Sequence, residues 1–139
     1  MKQVVRYFLA IFAGALMGSV ANMLVISFST TIIPLPEGAD NSSIQSLENT
    51  IHLFQFKHFI MPFLAHALGS LIGGAIAAWI APSNKLLIAL TIGSFFLIGG
   101  VIMVFQLPSP IWFNLIDLTL AYLPMSWIGY RIRHFYIKN

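Results

Sequence analysis

The sequence contains no cysteine among its 139 residues, and this absence excludes disulfide bonds, thiolate metal ligands and a cysteine nucleophile. Phosphate-binding loops, nucleotide-binding glycine motifs and the residue patterns of nucleophilic hydrolases are missing as well. We therefore expect no bound cofactor and no enzymatic activity.

Charge is also scarce, because aspartate, glutamate, lysine and arginine together make up 8% of the residues, against about a quarter in ordinary soluble domains. Hydrophobic residues make up 58%, and the mean hydropathy is +0.87. A soluble domain of this length could not bury so much apolar surface, whereas helices in lipid satisfy their own backbone hydrogen bonds. The composition predicts an integral membrane protein whose main partner is the lipid bilayer.

Four apolar runs are long enough to cross a hydrocarbon core of about 30 Å. They cover approximately residues 7–33, 59–81, 86–107 and 111–130. We expect an all-α, polytopic membrane protein in which residues 1–139 form one domain of four transmembrane helices. Every lysine and arginine except Lys57 falls on one side of these spans, which places both termini in the cytoplasm by the positive-inside rule. The cations form no single patch, so we expect no nucleic-acid partner.

The predicted outer loop, residues 34–58, begins with prolines and glycine and then becomes amphipathic. Between about residues 43 and 56 its apolar side chains recur at helical spacing. Ser42 followed by Gln45 is typical of a capping box at the start of a helix. The loop is therefore predicted to contain a short amphipathic helix that lies on the membrane surface or covers the bundle.

Three residues of this loop, Glu48, His52 and His58, are of types that bind metal ions. The spacing between His52 and His58 does not place both on one face of a helix. We therefore expect no metal site here.

Small residues recur at helical spacing within the spans, where they allow two helices to approach closely. The Gly69 to Gly73 spacing matches a motif for helix dimerisation, but in a four-span chain it favours packing inside the monomer. The glycines expected at helix contacts are Gly14, Gly18, Gly69, Gly73 and Gly93.

Strongly polar side chains within the spans are few, and Asp117 is the most costly of them, because an unpaired carboxylate near the hydrocarbon core costs several kcal/mol. His66 and Asp117 both lie roughly 10 Å below the outer boundary at about 1.5 Å per residue, so the two side chains could meet. Asn114 shares the helical face of Asp117, Tyr122 is expected to point elsewhere, and Asn22 lies deeper. The candidate polar site is therefore His66, Asp117, Asn114 and Asn22.

Two interpretations of these residues stay open. They form a proton-accepting or ligand-orienting site that opens to the outside, since ionisable groups inside membranes usually serve function. Alternatively, they are hydrogen bonds between helices, each worth about 1 kcal/mol, with no other role.

Four segments together resemble a group of small four-span bacterial inner-membrane proteins. They are Pro34-x-Pro36-x-Gly38-x-Asp40, Ala65-His66-Ala67-x-Gly69-x-x-x-Gly73-Gly74, Pro108-x-Pro110-x-Trp112-Phe113, and Leu123-Pro124 with Gly129 beyond it. The resemblance covers most of the chain from the first outer loop onward. It implies a four-span topology and a bacterial inner membrane, and it implies no activity.

Two classes of function are therefore expected. The first is a structural or accessory membrane protein that acts as a homo-oligomer or as a subunit of a larger membrane complex, which the scarcity of polar groups favours. The second is a proton-linked or small-solute transporter that uses His66 and Asp117. An intramembrane enzyme with these residues as acid and base is a distant third, because the sequence suggests no substrate pocket.

Overall fold

The computed structural model describes the backbone of residues 2–138 and the side chains of residues 2–136. Within this range the chain is helical and contains no β-strand. Short 3-10 turns at Ile51–Leu53 and Phe56–Phe59 join α2 to α3. The α-helices are α1 (Lys2–Ile32), α2 (Ile44–Thr50), α3 (Ile60–Ile80), α4 (Lys85–Gln106), α5 (Ile111–Leu120) and α6 (Leu123–Lys138).

Four segments are long and apolar enough to cross a membrane, which agrees with the four apolar runs of the sequence. The first segment begins at Lys2 rather than near Tyr7, so the basic head belongs to the helix. The segments are Lys2–Ile32, Phe56–Ile80, Lys85–Gln106 and Ile111–Tyr136.

The fourth segment is divided into two helices, because the chain forms a turn at Ala121 and Tyr122. Pro124 explains the break: proline has no amide hydrogen to donate, and its ring clashes with the carbonyl four residues earlier in a continuous helix. Backbone hydrogen bonding resumes when the Ser126 amide donates to the Tyr122 carbonyl at 2.9 Å. The fourth span therefore lies where the sequence predicts it, but its helix is interrupted.

Helices α1 and α3 pack with their backbones in contact at glycines. A Cβ atom added to Gly14 would lie 2.8 Å from the carbonyl oxygen of Gly73, and one added to Gly18 would lie 2.6 Å from that of Gly69. A Cβ atom at Gly69 or Gly73 would collide with α1 in return. This close approach requires glycine on both helices.

Helix α6 packs against both α3 and α4, and Ser126 occupies the point where the three helices meet. A Cβ atom at Gly74 would lie 2.8 Å from the Cα of Ser126, and one at Gly93 would lie 3.0 Å from its Cβ. Ser126 itself is fully buried and donates a hydrogen bond to the Leu123 carbonyl at 3.0 Å. The half of the bundle near the α3–α4 turn is therefore tightly packed.

Residues 34–59 form a cap over the other end of the bundle, and we call this segment the lid. Ile51 is buried against Phe59 and Phe113, and Leu47 and Phe54 pack around them. The amphipathic stretch thus covers the bundle, although its α-helix ends at Thr50.

The cap of the lid helix differs from the sequence prediction. Ser43, in an extended conformation, accepts a hydrogen bond from the Ser46 amide at 3.0 Å. The helix begins at Ile44, so that Ser43 and not Ser42 is its N-cap, and the Ser42 amide donates to the carboxylate of Asp40 at 2.8 Å. The same hydrogen bond lowers the pKa of Asp40. The predicted capping box of Ser42 and Gln45 is therefore wrong.

Candidate functional site

His66 and Asp117 are placed at equal depth by the helices that carry them. Each lies six positions after the first residue of its helix, Ile60 for α3 and Ile111 for α5. Both helices begin at the lid, so the two side chains lie about 9 Å below it. Pro62 lies in the first turn of α3, where a missing amide hydrogen costs nothing.

The two side chains are in contact. The Nδ1 atom of His66 is 2.9 Å from Oδ1 and 3.0 Å from Oδ2 of Asp117. Because both carboxylate oxygens accept hydrogen bonds, Nδ1 carries the hydrogen that it shares between them. In the neutral imidazole Nε2 is then an acceptor, and it has no hydrogen-bond partner within the described part of the chain. The Asp117 side chain is 6% exposed and that of His66 is 27% exposed.

Tyr122 completes the cluster, and its prediction to point away from Asp117 is wrong. Its hydroxyl donates to Oδ2 of Asp117 at 2.8 Å and lies 3.0 Å from Nδ1 of His66. Its ring stacks on the imidazole with centroids 5.5 Å apart. In a regular helix, residues five positions apart point about 140° away from each other. The break at Ala121 and Tyr122 turns the phenol back towards Asp117, and Pro124 was the sequence signal for that break.

Gly100 of α4 provides the space that the phenol of Tyr122 occupies. A Cβ atom at Gly100 would lie 2.7 Å from Cζ of Tyr122 and 3.0 Å from Cε2. Its neighbour Gly99 faces open space, with no atom within 4 Å of a Cβ placed there. The position of the Tyr122 hydroxyl therefore depends on glycine, which has no side chain, at residue 100.

We expect Gly100→Ala to destabilise the protein by about 1–3 kcal/mol, because the added methyl group pushes the phenol away from Asp117. Equilibrium unfolding in detergent measures the change. Gly99→Ala is the matched control, and we expect it to unfold at the wild-type midpoint or slightly above it. Equal midpoints for the two variants would contradict the assigned role of Gly100.

Neither asparagine of the predicted site is hydrogen-bonded to the cluster in the described part of the chain, although each lines a cavity together with His66. The Asn114 side chain donates to the Ser109 carbonyl at 3.4 Å and forms no hydrogen bond with Asp117. The buried Oδ1 of Asn22 has no hydrogen-bond partner in the described range. Asn22 lies beside Gly69, because a Cβ atom added to Gly69 would be 3.1 Å from the Cβ atom of Asn22. The structure therefore brings together His66 and Asp117, and it adds Tyr122 rather than an asparagine.

His66 lines two cavities. The first, which we call the lid cavity, has a volume of about 190 Å³ and lies between the lid and the bundle, with Asn114 and Asp117 also in its wall. The second, the lateral cavity, has a volume of about 370 Å³, and its wall includes Asn22, Gly99, Gly100 and Tyr122. One imidazole therefore faces both spaces.

His58, the lid histidine closest to α3, forms hydrogen bonds within the lid. Nδ1 of His58 accepts from the Gln55 amide at 2.8 Å, and Nε2 lies 3.2 Å from the Pro34 carbonyl. His58 thus joins the two ends of the lid. In residues 2–138 no three histidine, cysteine, aspartate or glutamate side chains lie close enough to hold a metal ion.

No family model matches this chain, and no curated protein or solved structure is significantly similar to it. The resemblance to the group of four-span bacterial proteins therefore stays a prediction. The geometry of the His66, Asp117 and Tyr122 cluster is the basis on which a function is proposed.

Proposed function

We propose that the protein is a non-enzymatic, four-span accessory protein of the bacterial inner membrane that presents a binding site to the outer side. The observation that carries this proposal is the His66–Asp117–Tyr122 cluster at the wall of the lid cavity. A carboxylate that accepts hydrogen bonds from a histidine and a tyrosine leaves Nε2 of the histidine ready to accept a proton or a ligand hydrogen.

The distribution of apolar residues supports a membrane location. Large apolar side chains of α1 face outward, with exposed fractions of 67% for Phe8 and 59% for Phe28. Polar side chains lie inside instead, and Ser70 and Ser126 are fully buried. Water would disfavour this arrangement, whereas lipid surrounds apolar side chains without cost.

The orientation that we propose places the lid outside and both termini in the cytoplasm. Lys85 donates to the carbonyls of Ala78 and Ala81, and Arg6 donates to that of Ile80 at 3.5 Å. These cations therefore lie at the end of α3 away from the lid, where they also complement the helix dipole. Cations concentrate on the cytoplasmic side of bacterial membrane proteins.

Cysteine labelling tests this orientation directly, because the wild-type chain has no cysteine. We expect Glu37→Cys in the lid to react with a membrane-impermeant maleimide in intact cells. Ser83→Cys, in the turn between α3 and α4, should react only after the membrane is permeabilised. The reverse pattern would overturn the proposed orientation.

Close packing favours binding over transport. A transporter must open its site to each side in turn, and here the route to the cytoplasm passes the contacts of Gly14 with Gly73 and of Gly74 with Ser126. These contacts involve backbone atoms, so that opening them requires whole helices to separate. The site therefore communicates with the lid side.

A proteoliposome experiment distinguishes the accessory function from transport. With a pH-sensitive dye trapped inside, we expect wild-type protein and Asp117→Asn to give the same slow proton leak as empty liposomes. Purification in a mild detergent should give the protein as an oligomer or with a stoichiometric membrane subunit, measured by native mass spectrometry. A solitary monomer would contradict the accessory assembly.

Transport remains the second candidate, and the lateral cavity is the observation that favours it. This cavity extends from His66 to Asn22, whose buried Oδ1 has no hydrogen-bond partner in the described residues. A polar path could pass inward from the cluster along this wall. Proton flux that Asp117→Asn abolishes would establish this candidate in place of the first.

A further inference from the structure

The geometry points to a ligand class for the lid cavity: a single six-membered aromatic ring that carries a hydroxyl group, either as a free phenol or as the head of a membrane-dissolved phenolic lipid. This inference deepens the proposed function and rests on the binding site proposed there. Three properties of the cavity carry it, namely its size, the composition of its wall and the hydrogen-bonding character of its polar end.

The size of the cavity matches one ring. Its volume is about 190 Å³. An apolar protein cavity of about 150 Å³ stays dry and binds benzene. The lid cavity therefore accommodates a benzene ring with one or two small substituents.

The wall is apolar except at one end. Phe54 and Phe59 reach the cavity from the lid side, and Phe113 reaches it from α5. The rings of Phe59 and Phe113 lie 4.9 Å apart, so that an aromatic surface is already assembled there. Aromatic rings pack favourably against one another in offset and tilted arrangements. A ligand with an aromatic body suits this wall.

The polar end consists of His66, Asn114 and Asp117 with Ser109 beside them, and it offers acceptors. When the imidazole of His66 is neutral and Nδ1 donates to Asp117, Nε2 is an acceptor, and it has no partner among the described residues. The amide nitrogen of Asn114 donates to the Ser109 carbonyl, which leaves its oxygen to accept. A hydroxyl group suits this end, because it can donate to one of these acceptors while its oxygen accepts from the second N–H of Asn114.

A hydroxyl group fits this end better than an ammonium group. The Asp117 side chain is only 6% exposed and both of its oxygens accept from His66 or Tyr122, so a ligand ammonium group has little access to the carboxylate. An ammonium group in an apolar cavity without such a partner is strongly disfavoured. A neutral hydroxyl donates one hydrogen and carries no charge, as this end requires.

Two sources can supply the ring. A further cavity of about 170 Å³ shares Ile26, Leu47, Phe54 and Pro62 with the lid cavity and extends along the lid to Ser29 and Thr30 of α1. A free phenol can reach the site through this space from the water. The same space can hold the first part of an alkyl tail that continues into the membrane.

Fluorine NMR with para-fluorophenol tests the inference on the full chain in nanodiscs, with empty nanodiscs as the measure of partition into lipid. We expect saturable binding of para-fluorophenol. Fluorobenzene lacks the hydroxyl and should bind about tenfold more weakly, because the hydrogen bond to the polar end is lost. Equal affinity for these two probes, or tighter binding of para-fluorobenzylamine at a pH where it is a cation, would overturn the assigned class.

A matched pair of variants places the binding in the lid cavity. Val104 lines the cavity, whereas Val101 on the same helix is 38% exposed and lies outside it. Val104→Phe fills the space and should abolish saturable binding, and Val101→Phe should keep wild-type affinity. Leu47→Phe fills the cavity from the lid without altering α4, so that it gives the same test if Val104→Phe fails to fold. Binding that survives both filling variants would overturn the inference.

Competition by a para-dodecylphenol identifies the source of the ring. If para-dodecylphenol displaces para-fluorophenol at a much lower concentration than para-methylphenol does, the ligand is a phenolic lipid. If the two competitors are equally potent, the ligand is a free phenol. Both results support the ring-and-hydroxyl chemistry, and no displacement by either contradicts it. One combination of results separates this inference from the proposed function: Glu37→Cys in the lid reacts from outside, Asp117→Asn alters the His66–Asp117–Tyr122 cluster, and no phenol binds. In that case this inference fails and the proposed function stands.

Discussion

Gly18→Ala is expected to lower the free energy of unfolding by about 1–3 kcal/mol or to prevent α1 from packing on α3. The added Cβ atom would lie 2.6 Å from the Gly69 carbonyl oxygen and 2.7 Å from a ring carbon of Phe96. A flexible side chain could move away, but a backbone carbonyl moves only with its helix. Relief of the overlap therefore requires α1 and α3 to separate along their whole contact.

Equilibrium unfolding in mixed micelles with an increasing fraction of sodium dodecyl sulfate measures this change. Gly99→Ala is the control, since it makes the same chemical change at an exposed helical position with no atom within 4 Å. Because alanine favours the helix more than glycine does, the control should be neutral or slightly more stable. A Gly18→Ala protein as stable as the control would contradict the packing of α1 on α3.

Asp117→Asn should destabilise the protein by about 1–3 kcal/mol and change the tautomer of His66. The carboxylate of Asp117 accepts from both Nδ1 of His66 and the hydroxyl of Tyr122. The asparagine amide has one acceptor oxygen, which the Tyr122 hydroxyl occupies, and an amino group that donates to Nδ1. The imidazole hydrogen must then move to Nε2, so that Nε2 no longer accepts a hydrogen bond.

Nitrogen NMR of labelled histidine measures this tautomer change at a pH where the ring is neutral. The wild-type spectrum should show a protonated Nδ1 for His66, and the Asp117→Asn spectrum a protonated Nε2. Asp40→Asn is the control, because it makes the same substitution at an exposed position in the lid where the side-chain oxygen still accepts from the Ser42 amide. An unchanged His66 tautomer in Asp117→Asn would mean that the carboxylate does not orient the ring.

Hydropathy and spacing predict the four membrane-spanning segments because both depend on local sequence. The depths of His66 and Asp117 follow from counting residues from each helix start at the lid. Whether α3 and the α5–α6 segment lie side by side depends instead on contacts such as Gly74 with Ser126, which join distant parts of the chain. The sequence therefore predicts that the pair could meet, and the fold determines that it does.

Tyr122 could not be assigned from helical periodicity, because the prediction assumed one regular helix through Pro124. The break at Ala121 and Tyr122 changes the direction of every later side chain relative to Asp117. The cap of the lid helix was misassigned for a similar reason, since a turn at Asp40 already uses the Ser42 amide. Local irregularities of one or two residues thus decide which polar groups meet, and a periodic pattern does not detect them.

The lid cavity could not be predicted at all, because its wall comes from α1, the lid, α3, α4 and α5. The lid cavity is lined by Ile26 of α1, Ile51 of the lid, Val104 of α4 and Phe113 of α5. No single stretch of sequence determines the shape of the space between these residues. Only the packed structure shows that the lid leaves room above His66.

Because α1 is long, its tilt depends on the thickness of the bilayer. Its 31 residues extend for about 46 Å, whereas the hydrocarbon core is about 30 Å thick. A helix longer than the core accommodates the mismatch by tilting, and its tilt increases as the membrane becomes thinner. Gly14 and Gly18 connect α1 rigidly to α3, so that a change in tilt acts on the helix that carries His66. Lipids with shorter acyl chains should therefore alter the geometry around the imidazole without any contact with it.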